Sequence, residues 1–298
     1  MLNIFLQQLI NALTYGSLIG FIALGYSLVY GILKLINFAH GHIVTFAIFI
    51  TMSMLTQFLA LHTLGFILAL SLALIITIGV TIVLEIVAYR PLRRSNRLSL
   101  IVSALGAGMV IENAVMLIWG PNPRVFPDIN FFQGTINLNG VVVSELNLFI
   151  LFLNIVVMSI LYLFINKSRT GIAIKALSLD YQTAQLMGVN INKIIVLVFV
   201  LGAILGSAGG ILIGLTYKTI SFNMGFEYGL KAFIAAIIGG IGSIPGAMLG
   251  GLIIGILQTL SAGYISSIWA NVITYSLLIL LLIVRPRGLL GQKDIEKV

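Results

Sequence analysis

Eight apolar stretches, at about 5–30, 42–60, 64–88, 98–119, 146–166, 194–216, 229–259 and 267–284, fill most of this 298-residue chain. Each comes close to or exceeds the ~20 apolar residues a helix needs to cross a bilayer. A water-soluble fold could bury a few such helices, but it would then need a charged surface around them. Here 60% of residues are hydrophobic and only 8% are charged, against roughly 25% charged in a soluble domain. Lipid is therefore the solvent for most of the surface, which excludes a cytosolic enzyme, a secreted domain and a disordered chain. The expected fold is all-α and polytopic, one transmembrane domain over 1–298. Its first apolar run has no basic leader and is too long for a cleaved signal peptide, so it is read as the first span.

The seventh stretch differs from the rest. Gly239, Gly240, Gly242, Pro245 and Gly246 interrupt it at mid-length, and a broken helix at membrane depth needs protein or a wet cavity over its freed backbone. The break is a candidate part of a translocation pathway, with backbone groups free for a substrate's charged ends. It also bears on topology. Arg90, Arg93, Arg94 and Arg97 form one basic cluster; Lys167, Arg169, Lys175 and Lys193 form a second; Arg285, Arg287, Lys293 and Lys297 form a third. The positive-inside rule puts all three in the cytoplasm. That leaves the N-terminus and residues 120–145 outside, and it puts the C-terminus inside if 229–259 turns back or passes twice. The net charge of +8 is thus a membrane signature; no basic-aromatic interleaving points to nucleic acid.

Glycine numbers 31, and Gly202, Gly206, Gly210 and Gly214 recur four apart, as do Gly242, Gly246 and Gly250. Small residues at that spacing let helix backbones approach in lipid, either for internal packing or for a subunit interface or substrate path. Asn37, His40 and Gly41 lie between the first two apolar runs, with Asn37 and His40 on one helical face. They suit a cap, an interhelical hydrogen bond or a pathway lining. His40 and His42 stand two apart with no nearby carboxylate, so no metal site is expected. Glu85 can pair with the nearby arginines. Glu112, deep in the fourth run, is a further candidate pathway residue that requires a partner or water, and Lys231 is one guess for that partner. Absence of cysteine excludes thiol chemistry. No metalloprotease, nucleophile-elbow or Walker A motif is present, so the chain carries no ATPase site of its own.

Residues 167–193 form the longest internal connection. Ile172, Ala173, Ala176 and Leu177 recur at helical spacing. Asp180 suits an N-cap, Tyr181 to Met187 would make two turns, and Gly188 suits a left-handed C-terminal position. The segment reads as a short, closed helix lying on a membrane face, either a plain surface helix or a rigid knob.

The run Thr170-Gly171-Ile172-Ala173-Ile174-Lys175-Ala176, followed by Asp180, Ala184 and Gly188, resembles the cytoplasmic coupling loop of ABC importer permeases. Gly25-Tyr26-Ser27-Leu28-Val29-Tyr30-Gly31, Ile36-Asn37-Phe38-Ala39-His40-Gly41, Gly239-Gly240-Ile241-Gly242-Ser243-Ile244-Pro245-Gly246-Ala247 and Arg285-Pro286-Arg287-Gly288-Leu289 are similar to the LivH-type permeases of branched-chain amino acid importers. The matches run in order along nearly the whole chain. Asp180 and Gln182 depart from the glutamate-alanine-alanine core of generic importers.

The resemblance implies a permease subunit, not an enzyme, in a bacterial or archaeal cytoplasmic membrane. Its implied partners are a second homologous permease, two cytoplasmic ATPases that use ATP, and an external substrate-binding protein. Ala176, Asp180, Ala184 and Gly188 would meet an ATPase. No cofactor is expected on this chain. Leucine, isoleucine and valine are the implied substrates; urea or short amides, other amino acids and nucleosides are the alternatives within the family. Outside it stand a self-sufficient secondary carrier and an intramembrane enzyme.

Overall fold

Backbone N–H and C=O groups in hydrocarbon must be satisfied within the chain, and long helices do this. The computed structural model describes residues 2–34, 36–58, 62–93, 95–129, 131–132, 134–285 and 288–291. Arg94, Pro286, Arg287, Lys293 and Lys297 of the sequence reading lie outside the described residues. The helices are α1 (Leu2–Leu33), α2 (His40–Phe58), α3 (His62–Leu84), α4 (Arg97–Trp119), α5 (Glu145–Lys167), α6 (Arg169–Leu179), α7 (Tyr181–Leu186), α8 (Ile191–Tyr217), α9 (Met224–Gly239), α10 (Ile244–Tyr264) and α11 (Ser267–Val284). A π turn, Glu85–Tyr89, and a 3-10 turn, Arg90–Leu92, extend α3. Among the described residues, eight helical segments are long and apolar enough to span a bilayer. Side-chain caps at Ser144, Ser168, Asp180, Asn190, Ser243 and Ser266 start six of the helices.

The core is built around α1, which is buried without interruption from Gly16 to Val29. Glycines set how close its neighbours lie. Against α10, Gly16 meets Gly251 and Leu252 and Gly20 meets Met248, while Gly31 lies beside Gly242 in the turn that precedes it. Against α8, Gly25 meets Gly202, and Gly209 meets Leu18, Phe21 and Ile22. Both neighbours therefore run antiparallel to α1. Gly206 and Gly210 of α8 accommodate His40, Val44 and Ile48 of α2. Both glycine repeats thus pack helices inside this one chain. α4, α5 and α11 lie outermost, each burying a narrow stripe such as Ala270 and Thr274 of α11.

Two helices begin inside the bundle. His40, the first residue of α2, lies beside Gly25, eight residues and about 12 Å short of the α1 end at Leu33. Gly225, in the first turn of α9, lies against Gly41 and Thr45 of α2. With 16 residues, α9 measures about 24 Å and falls short of the ~30 Å hydrocarbon core. The stretch expected at 229–259 is therefore two helices, α9 and α10, separated at Gly240–Ser243.

At one end of the bundle Tyr89 donates to Asn37, Arg93 donates to Asn192, and Leu289 and Leu290 donate to Ile238 and Gly239. The Arg90–Arg93 segment, α6, α7 and residues 288–291 all gather at this basic end. At the other end Asn3 donates to the Asn139 carbonyl and Gln7 to that of Val142. Residues 120–144 are not all coil: β2 (Thr135–Leu138) and β3 (Val141–Ser144) form a hairpin through Asn139 and Gly140, both at positive φ. A second short pair joins β1 (Arg124–Val125) to β4 (Thr219–Ile220).

Candidate functional site

The basic end carries a built surface. Pro91 has no N–H to continue the α-helical ladder, and the chain passes through a π turn in which the Arg90 N–H reaches back to the Glu85 carbonyl. That turn brings the Arg90 guanidinium within 2.8 Å of the Glu85 carboxylate, with Arg93 on its other oxygen. Glu85 is 0% exposed, so the arginines neutralise a carboxylate removed from water. Arg93 also donates to Asn192 at 2.6 Å. A groove of about 780 Å³, lined by Arg90, Arg93, Tyr181, Gln182, Gln185 and Asn190, separates this knot from α7.

Beside the groove, the Asp180 side chain accepts from the N–H groups of Gln182 and Thr183 at 2.9 and 3.1 Å. Gly188, at φ +82°, closes the other end, and the Val189 N–H bonds to the Ala184 carbonyl. α7 is thus capped at both ends. Ala184 is buried beneath it and Ala176 half-buried, whereas Leu186 and Met187 are 87% and 80% exposed. In α6 the buried stripe is Gly171, Ile174 and Leu177; of the residues expected at helical spacing, Leu177 is buried and Ala173 and Ala176 are half-buried, whereas Ile172 points outward.

The candidate pathway residues fall into three places. Asn37 and His40 are buried. The Asn37 side chain accepts from Tyr89 at 2.6 Å, and the His40 ring packs edge-on to Tyr26, between Gly25 and Gly206. Gly41 lies at the crossing of α2 with α9. Glu112 approaches His42 at 3.3 Å, whereas Lys231 pairs with Glu227 at 2.7 Å, so the Lys231 guess for Glu112 is corrected.

Gly239, Gly240, Gly242, Pro245 and Gly246 form the α9–α10 turn at the basic end. Gly240 and Gly242 have φ of +103° and +91°, and Pro245 occupies the first turn of α10. Several of the backbone groups expected to be free here are taken. The Gly242 N–H donates to the Ser27 hydroxyl at 2.9 Å and the Gly246 N–H to Ser243 at 3.2 Å. The carbonyls of Ile238 and Gly239 accept from Leu289 and Leu290. Only the Ser243 cap is local; Ser27, Leu289 and Leu290 come from residues far along the chain, which spacing alone could not show.

Residues 8–282 match the family described as branched-chain amino acid transport system, permease component. The chain belongs to this permease family. The high-affinity branched-chain amino acid transport system permease protein BraD of Pseudomonas aeruginosa is 42% identical, over 99% of this chain and 98% of the relative. LivH of Escherichia coli K12, described in the same words, is 38% identical over the same shares. Among solved structures, an inward-facing metal-chelate type ABC transporter superposes with a TM-score of 0.50 at 16% identity, covering 94% of this chain and 85% of that one. That likeness shows the fold. As in sequence, the permease-family match extends over both the α2 motif and the capped α7.

Proposed function

We propose that this chain is the membrane permease subunit of an ATP-driven importer for branched-chain amino acids. Identity of 38–42% over nearly the full length, to permeases described as high-affinity branched-chain amino acid transporters, carries this reading. Two copies of a cytoplasmic ATPase, a second homologous permease and an external binding protein complete the importer. In this reading the partner ATPases supply the ATP site, and this chain needs no cofactor of its own. The basic end faces the cytoplasm by the positive-inside rule, which puts Leu2 and the β2–β3 hairpin outside.

In this arrangement α7 acts as a rigid knob. Its caps resist fraying, Leu186 and Met187 supply apolar contact, and the Glu85–Arg90–Arg93 knot anchors the neighbouring turn. Closure of the ATPases on ATP pushes the knob, and the antiparallel glycine-packed helices transmit the displacement as rigid bodies. The test is uptake into proteoliposomes holding the complete complex. ATP-dependent entry of labelled leucine, isoleucine and valine is expected, with urea, short amides and nucleosides excluded. Uptake by this chain alone, driven by an ion gradient, would instead show a secondary carrier.

A further inference from the structure

A second charged cluster lies at mid-depth, away from the basic end. Lys231 of α9 donates to Glu227 at 2.7 Å and to the Tyr15 hydroxyl at 3.2 Å. Its ammonium lies 5.9 Å from the ring centres of both Tyr15 and Tyr228. Tyr217 packs edge-on against Tyr15 at 6.4 Å. Tyr15 is 13 residues from Leu2 and 18 from Leu33 along α1, about 20 and 27 Å from the helix ends.

The two charges are unequally covered. The Lys231 side chain is 7% exposed and that of Glu227 is 56% exposed. An exposed i,i+4 pair contributes only a few tenths of a kcal/mol, and a carboxylate opening toward hydrocarbon is costly. Glu227 must therefore face something polar. A plain subunit contact would satisfy it, but would not explain why a covered lysine is ringed by tyrosines. The group has what a zwitterion with an apolar side chain requires: an acceptor for an ammonium, a donor for a carboxylate, and aromatic faces. It is also neutral as a whole. A passing zwitterion can exchange partners with the internal pair, which offsets its desolvation without holding it too tightly to leave.

We propose that Glu227 and Lys231, with Tyr15, Tyr217 and Tyr228, line the transport passage and engage the charged ends of an α-amino acid. Glu227 accepts from the ammonium and Lys231 donates to the carboxylate. The inference rests on the permease reading above and names the groups that touch its substrate.

The experiment uses the complete complex in proteoliposomes, with leucine as the probe. The chain has no cysteine, so Glu227→Cys introduces its single thiol. Labelling of that thiol by a water-soluble maleimide, slowed by leucine, is expected. Glu227→Gln should co-purify with its partners yet lower leucine uptake by roughly tenfold or more, the loss of one charge-assisted hydrogen bond, with Glu227→Asp recovering part of it. An unreactive thiol, labelling indifferent to leucine, or native uptake by Glu227→Gln would overturn the site and leave the permease reading intact. Loss of co-purification in Glu227→Gln would make Glu227 a subunit contact and also overturn it. Failure of the unaltered complex to take up leucine, isoleucine and valine would instead remove the permease reading on which the site depends.

Discussion

At Gly41 a hydrogen in place of a side chain lets α2 lie directly on α9. A Cβ there would fall on the Gly225 carbonyl, with the Gly225 carbonyl carbon and Gly229 Cα at 3.1 Å. These are backbone atoms, so relief requires separating two helices. Gly79 of α3 has nothing within 4 Å of such a Cβ. Gly41→Ala should destabilise the permease by about 1–3 kcal/mol, while Gly79→Ala should be neutral or stabilising by up to about 1 kcal/mol through helix propensity. Thermal unfolding in detergent measures both; equal shifts would refute the packing assignment. The sequence singles out Gly41 by its motif, but not the close packing that distinguishes it from Gly79, because that depends on a neighbour some 180 residues away.

The short helix α7 isolates a different effect. A Cβ at Gly188 would meet nothing within 4 Å, yet the residue sits at φ +82°. The strain of Gly188→Val is therefore purely conformational, on the order of 1–2 kcal/mol. That is too little to unfold a bundle of eight spans, but enough to displace the end of a rigid knob. The expected outcome is normal co-purification with lowered uptake per ATP hydrolysed. Asp180→Asn keeps a capping oxygen and should be milder than Asp180→Leu, which forfeits about 1 kcal/mol of capping. Native coupling in Gly188→Val would reduce α7 to a surface helix. This element was legible in the sequence because its caps are local, made to N–H groups two and three residues away. The inward face of α6 was not: Ile172 and Ile174 are equally apolar, and contact with the bundle decides that Ile174 is the buried one.

Across the whole molecule, the described N- and C-terminal ends lie at opposite faces although α9 is too short to count as a full span. α9 itself, running from beside Gly41 to the turn at the basic end, supplies the odd crossing, so that α10 starts from that end. If the basic end is cytoplasmic, Ser95→Cys should resist a membrane-impermeant thiol reagent applied to intact cells, and Asn137→Cys on the hairpin should react. The opposite pattern would invert the orientation.

Composition, apolar periodicity and cation placement determined on their own that this chain is a polytopic helical bundle, because lipid penalises every exposed charge and unpaired backbone group alike. Local chemistry likewise determined the caps of α7 and the turn residues Gly240, Gly242 and Pro245. Tertiary structure alone decided which polar groups meet. The Glu112–His42 contact joins residues 70 positions apart. The carbonyls at the end of α9 are taken by Leu289 and Leu290. Glu227 and Lys231, which in sequence look like an ordinary surface pair one helical turn apart, stand at mid-depth against Tyr15. Periodicity assigns a residue to a face of its own helix; the depth and neighbours of that face depend on close-packed contacts with helices distant in sequence.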